Sequence, residues 1–378
     1  MKYFLIVGEA SGDLHASNLM RELKIADAEA DFRYCGGDLM SAEGGQLVIH
    51  YRQMAFMGIV NVLKNARTVL GNLKLCKQQI VDYQPDVIIL VDYPSFNLRI
   101  AEFAKKNLPK TPVFYYISPK IWAWKEFRIK AIKRYIDKMY TILPFETDFY
   151  KKHDFAVEYV GNPSVDAVSN WKQDFYKEKD FCEHYDLPQQ PIIAVLAGSR
   201  KQEIKNCLPK MVEAASHFTE FQIVVAGAPG IESDFYQKIL PQKKYSVIFN
   251  NTYELLSHAR VAIVNSGTAT LETALLNVPQ VVVYHVFGGK IANWLKKHVL
   301  KVQYVSLVNL IAEKEIVKEL VAHDFTTNNV KSQLPQLLFD NNFRKKMQVE
   351  YHNIHQKLGT TGAAKRAAEK IVATLQSE

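Results

Sequence analysis

The sequence predicts an α/β protein built from two doubly wound parallel sheets. Strand-like apolar runs alternate with helical stretches in two successive series, and a polar break separates the series. The chain has 378 residues, 48% of them hydrophobic, which is more than one core serves and enough apolar surface for two.

The first series opens on an apolar run at residues 3–7, which breaks into Gly8-Glu9-Ala10-Ser11-Gly12-Asp13 before a helical pattern over 14–24. A strand, a glycine turn and a helix start together expose backbone N–H groups and the positive end of a helix dipole, where a ligand's negative charge can sit. The turn has the spacing of neither G-x-G-x-x-G nor the P-loop, so a plain structural βα turn fits it equally well. A run ending near Cys35 follows, then a helical stretch over 66–81 and apolar runs at 86–91, 113–117 and 139–143.

Gly161-Asn162-Pro163 and the polar stretch 170–183 mark the hinge. Domains are accordingly expected over 1–165 and 166–340, with a helical segment over 341–378 that packs back toward the first domain.

The second series repeats the pattern. A run at 192–196 enters Gly198-Ser199-Arg200, where a glycine permits close backbone approach and an arginine offers a fork of donors to a diphosphate. A helix is expected around 208–217, with strands at 222–226 and 246–249. A strand at 261–264 enters Ser266-Gly267-Thr268, a helix is expected over 269–276, and a strand follows at 280–284. Glu272 brings a carboxylate to the same mouth, suited to ribose hydroxyls. Three glycine turns at strand ends favour a nucleotide ligand over three independent structural turns.

The charge is unevenly placed. Between Lys105 and Lys138 there are ten Lys or Arg against Glu126 and Asp137, a local net of +8 that equals the net charge of the whole chain. Aromatics interleave with these charges, a composition that suits an anionic surface or a solvated helix face beside buried rings. A basic amphipathic pattern includes Met57, Ile59, Val60 and Leu63, and a second basic patch surrounds Trp294 with Lys296 and Lys297. Four cysteines without metal-like spacing, and a start that runs straight into a strand, predict a reduced, cytosolic protein. No window reaches the roughly 18 apolar residues of a membrane span, so any membrane contact is expected to be peripheral.

The segments GEASGDLHAS, DYPSFN, ISPKIWAW, LPFE, LAGSRKQEI, NSGTATLE and YVSLVNLI stand in the order and spacing of the lipid-A-disaccharide synthases, and the chain resembles that family over nearly its whole length. The resemblance implies a GT-B glycosyltransferase of Gram-negative lipid A biosynthesis, peripherally bound at the cytosolic face of the inner membrane. It implies transfer from UDP-2,3-diacylglucosamine to 2,3-diacylglucosamine 1-phosphate (lipid X), giving a β(1→6) disaccharide and UDP. Asn162 departs from the family, which commonly has His there.

Within that reading, an inverting transfer needs a base, and Asp92 at the end of the apolar run 87–91 suits the role, with an Asx turn before Pro94 as its plain alternative. Glu9 is a second catalytic candidate. Gly8, Ser11, Gly12, Asp13, Ser118 and Trp122 are expected at the acceptor sugar, although Glu9 and Asp13 equally suit the positive end of a helix dipole. Gly198, Ser199, Arg200, Ser266, Gly267, Thr268, Glu272 and Asn309 are expected at the UDP-sugar, while Met57, Ile59, Val60, Leu63, Trp294, Lys296 and Lys297 are expected at the membrane. Neither a metal nor a cofactor is expected, since helix starts and Arg200 can balance the leaving diphosphate. The rival classes are a UDP-sugar epimerase of the same fold, an oxidoreductase disfavoured by the absent dinucleotide fingerprint, and a nucleic-acid binder, which would leave the phosphate turns unexplained.

Overall fold

In the computed structural model, residues 1–54, 66–174, 181–240, 245–285 and 303–377 are described. The chain divides into two compact units, Met1–Pro163 with Thr360–Glu378, and Ser164–Gly359.

The first unit is a seven-stranded sheet of β1 (Lys2–Ile6), β2 (Asp31–Gly36), β3 (Gln46–His50), β4 (Val87–Val91), β5 (Val113–Tyr116), β6 (Lys138–Thr141) and β7 (Glu158–Tyr159), in the order β3-β2-β1-β4-β5-β6-β7. Every pairing is parallel. Such a sheet buries both faces, which is why its central strands are continuous apolar runs without alternation. Phe4, Ile6, Ile88 and Leu90 pack in one layer with Cys76, Ile80 and Ile100. Leu5, Val7, Ile89 and Val91 pack in the other with Leu19, Met20, Ile371 and Val372.

The second unit holds a six-stranded sheet of β8 (Ile192–Leu196), β9 (Gln222–Gly227), β10 (Ser246–Phe249), β11 (Ala259–Asn265), β12 (Gln280–Tyr284) and β13 (Glu319–Val321), in the order β10-β9-β8-β11-β12-β13. It too is parallel throughout. In each sheet the strand order reverses once, between β1 and β4 and between β8 and β11. The carboxyl ends beside such a reversal form a crevice, because the adjoining connections depart in opposite directions.

The segmentation differs from expectation at its edges. The division falls at Pro163, and the expected 341–378 segment does not act as one piece. Its helix Asn341–Leu358 buries Met347, Tyr351 and Ile354 in the second unit, against helices Leu307–Ala312 and Thr268–Leu275. Only the last helix, Ala363–Ser377, joins the first unit, where Ala367, Ala368, Ile371 and Val372 pack on helix Ala10–Ala26 and β1. Arg366 ties it down by donating from Nε to the Val160 carbonyl at 2.8 Å. No helix among the described residues is long and apolar enough to cross a membrane.

Candidate active site

At the reversal in the first sheet, β1 leads into Gly8 and β4 into Asp92. Gly8 is there because a Cβ at that position would lie 2.2 Å from Cγ of Tyr93, whose ring covers the turn. Tyr93 is anchored by donating its hydroxyl proton to the Met54 carbonyl at 2.6 Å. Glu9 is the half-buried N-cap of helix Ala10–Ala26 and its own side chain makes no capping hydrogen bond, a helix start whose first-turn amides, including that of the exposed Ser11, suit a ligand. Gly12 brings this first turn down onto Val7. The Tyr93 hydroxyl is pushed up by burial and then by the Glu9 charge, which sets Glu9, Tyr93 and Asp92 in one neighbourhood.

Asp92 and Tyr93 both have positive φ, 43° and 48°, and Ile117 at the end of neighbouring β5 has φ 63°. Residues with side chains pay about 1–3 kcal/mol each for such conformations, most of all a β-branched one, and they persist only where surroundings over-determine them. Here the surroundings are explicit. The Asp92 amide is shared between the carbonyls of Tyr116 at 3.4 Å and Ile117 at 3.3 Å. The Asp92 carbonyl accepts from Asn97 Nδ2 at 2.7 Å and from the Tyr115 hydroxyl. The main chain is thereby clamped, and the half-buried side chain is left at the crevice. Burial and then the Asp92 charge drive the Tyr115 hydroxyl well above its ordinary range.

Three residues expected at the acceptor are committed elsewhere. Asp13 is 3% exposed, and its carboxylate accepts the amides of Gly37 at 2.7 Å, Leu39 at 3.1 Å and Met40 at 3.2 Å. It therefore caps helix Asp38–Ala42 and is not offered to a sugar. Ser118 Oγ and Trp122 Nε1 both donate to Glu146 Oε1, at 2.5 and 3.1 Å, so neither polar atom is presented to an acceptor. Glu146 also accepts the amides of Ile142 and Leu143 at 3.3 and 3.0 Å, and burial raises its carboxyl above the usual range. Its organising role was missed in the sequence because its partners come from two separate strand ends.

His15 lies in the same helix, Ala10–Ala26. Its Nδ1 is buried without a partner, and burial lowers its pKa to about 4.

At the reversal in the second sheet, β8 leads into Gly198, whose φ of 115° lies in the left-handed region that favours glycine. Arg200 is the N-cap of helix Lys201–Ala215. The carboxylate of Glu203 fills this mouth: Oε2 accepts the Ser199 amide at 3.1 Å and Oε1 accepts from Arg200 Nη1 at 3.0 Å. Glu203 thus stands where an anionic ligand would, a contact legible in the four-residue spacing from Ser199 but not drawn from it. Beyond β11, Ser266 Oγ donates to the Val305 carbonyl at 2.9 Å, while Gly267 and Thr268 are exposed at the uncapped start of helix Thr268–Leu275. Glu272 pairs with Tyr253, and burial raises both groups.

Asn309 is not at this mouth in chemical terms. Fully buried, it donates to the Val317 carbonyl and Glu319 at 2.8 and 2.9 Å and accepts the amides of Ile316 and Val317 at 2.7 and 3.0 Å. The expectation that it binds nucleotide is replaced by a role in folding the 306–319 segment. Met57, Ile59, Val60, Leu63, Trp294, Lys296 and Lys297 lie outside the described residues. No group of three or more metal-ligating side chains occurs among the described residues.

A family model described as lipid-A-disaccharide synthetase matches residues 3–373. A lipid-A-disaccharide synthase of Myxococcus xanthus is 36% identical over 99% of this chain and 97% of its own length. One from Coxiella burnetii is 32% identical over 97% and 96%. Among solved structures, a Neisseria meningitidis UDP-GlcNAc 2-epimerase bound to UDP-GlcNAc superposes with a TM-score of 0.65 at 15% identity, covering both chains fully. The calicheamicin glycosyltransferase CalG4 superposes with a TM-score of 0.57 at 14% identity, covering 99% and 98%. At these identities the structural likeness speaks for the GT-B fold alone.

Proposed function

The chain belongs to the lipid-A-disaccharide synthase family and is a glycosyltransferase acting on a UDP-sugar and a lipid acceptor, and on that premise we propose how its two strand-end mouths divide the reaction. The second unit binds UDP-2,3-diacylglucosamine. Its two uncapped helix starts, after Gly198 and Gly267, supply amides and dipole to the diphosphate. Arg200 exchanges Glu203 for the phosphate oxygens and Glu272 receives the ribose. The first unit holds lipid X with its 6-hydroxyl at Asp92.

In the reaction, the acceptor oxygen bonds to C1 of the donor sugar as the C1–O bond to UDP breaks. The hydroxyl proton passes to the Asp92 carboxylate, and UDP leaves with the bonding electron pair. Inversion at C1 gives the β linkage. Glu9 lies beside the same crevice and orients the acceptor. Charge developing on UDP gains from Arg200 and the helix starts most in the transition state, which is where such donors accelerate a reaction.

Acyl chains require an apolar, anion-tolerant surface near the acceptor. Trp124 and Phe127 are 45% and 69% exposed, and Lys125 Nζ sits 4.0 Å from the Trp124 ring centroid. Rings and cations in this arrangement suit an anionic headgroup layer, and we assign them to peripheral contact with the inner membrane at its cytosolic face.

The observation that carries the catalytic assignment is Asp92, a carboxylate at a strand-order reversal on a clamped, positive-φ backbone. Purified protein with UDP-2,3-diacylglucosamine and lipid X should yield the disaccharide 1-phosphate by mass. Asp92→Asn should fold and bind UDP, since Asn tolerates positive φ at least as well, yet turn over about 100-fold or more slowly. Sugar-nucleotide conversion without lipid X would instead support an epimerase.

A further inference from the structure

At the opposite end of the second sheet's central strands, beside the starts of β8 and β11, a cavity of about 510 Å³ opens between Ile192, Phe221, Arg260, Phe339 and Arg344. The five-residue strand β8, about 16 Å long at the usual strand rise, runs from Ile192 to the Gly198 mouth, so this cavity is a different place from the transfer site.

Its two arginines have no acidic partner among the described residues. Arg260 is held by donating to the Leu338 carbonyl from Nε at 3.3 Å and Nη2 at 3.1 Å, and from Nη2 to Asn341 at 3.3 Å. Arg344 Nε is buried and makes no hydrogen bond. Neither guanidinium meets a carboxylate among the described residues. Burial and then the Arg260 charge hold Arg344 below its ordinary range. Two like charges at one cavity are a cost that a bound anion removes, and guanidinium forks match phosphate oxygens in geometry.

Apart from His258, the remaining walls are apolar. Phe339 is 55% exposed, its ring 5.8 Å from that of Phe221, and Ile192 closes the floor. An exposed ring beside a cationic pair gives one ligand two distinct halves to satisfy, and the cavity's volume is in the range of small-molecule sites.

We propose that Arg260 and Arg344 form a second ligand site, separate from the transfer site, for a phosphomonoester carried on an apolar body. Arg260 is preorganised by its helix-end carbonyl, Arg344 supplies the unspent donors, and the two phenylalanines cover the apolar part. The site rests on contacts within the second unit alone and does not depend on how the substrates are divided.

The test uses the full chain saturated with UDP, so that the strand-end mouth is occupied. Calorimetric titration with monomeric hexanoyl lysophosphatidic acid should show binding, with inorganic phosphate and 1-hexanoylglycerol each at least about 10-fold weaker. Arg344→Met, which removes no side-chain hydrogen bond among the described residues, should weaken the amphiphile at least about 10-fold while leaving the melting temperature no lower and UDP affinity unchanged. Equal affinity in Arg344→Met would overturn the site. So would inorganic phosphate binding as tightly as the amphiphile, because the apolar half would then contribute nothing.

Discussion

Asp13→Ala separates a structural carboxylate from a substrate-binding one. The substitution removes the acceptor of three amides, those of Gly37, Leu39 and Met40, from a position that is 3% exposed. A buried donor left unpaired costs about 1–3 kcal/mol. The Gly37 and Met40 amides are buried with Asp13, while the partly buried Leu39 amide is within reach of water. Water entering the vacated space offsets part of the remainder, so the net loss should be about 3 kcal/mol, above the typical value of about 1 kcal/mol for a helix cap. Asp13→Asn keeps one oxygen for Gly37 and Met40 and should lose about 1 kcal/mol. Urea unfolding reads both, as a shift in midpoint at constant slope. Turnover of each variant, measured on folded protein in the cold, should stay within a few-fold of the parent. Unchanged stability in Asp13→Ala together with lost turnover would refute the capping argument and return this carboxylate to the acceptor.

Three further outcomes follow from the same contacts. His15 has its pKa lowered by burial from about 6.5 to about 4, so the folded state binds fewer protons than the unfolded one below neutrality. The stability this contributes is present above pH 6.5 and lost as pH falls toward 4, by about 2 kcal/mol between pH 7 and 5; unfolding of His15→Leu should lack that slope. Glu203→Gln removes the carboxylate that competes for the Ser199 amide and Arg200, so UDP should bind several-fold tighter by calorimetry, and unchanged affinity would separate this mouth from the diphosphate. Sedimentation with anionic vesicles should show binding that weakens as salt rises and weakens further in Trp124→Glu; equal partitioning of parent and variant would leave Trp124 as a solvent-exposed ring.

Most of the scaffold was legible because a parallel sheet writes itself as short apolar runs. β1, β4, β5, β8, β9, β11 and β12 are such runs, buried along nearly their whole length. The strands that escaped notice, β3, β7 and β13, lie at sheet edges, where one side is unpaired and the apolar signal thins. Helix Pro94–Asn107 was also missed, since its start follows two positive-φ residues that no periodicity announces. The glycine turns were legible by their residue type. The roles of Asp13, Ser118, Trp122 and Asn309 were not, because a side chain's partner is chosen by the fold: Asp13 reaches amides 24 to 27 positions away, and Ser118 finds a glutamate 28 positions away.

The return of the last helix has a consequence for how the molecule is made. Residues 363–377 complete the layer that holds β1, so this strand waits for a helix synthesised long after it. Until then Leu19, Met20 and Leu23 face water on one side, and the burial of Ile371 and Val372, about 1.5–3 kcal/mol apiece, is withheld. The second unit, whose segments are contiguous from Ser164 to Gly359, can close without that helix. The first cannot. Any product broken off before this helix carries a finished second sheet and an open seam on the first, a surface that proteases and chaperones read as incomplete.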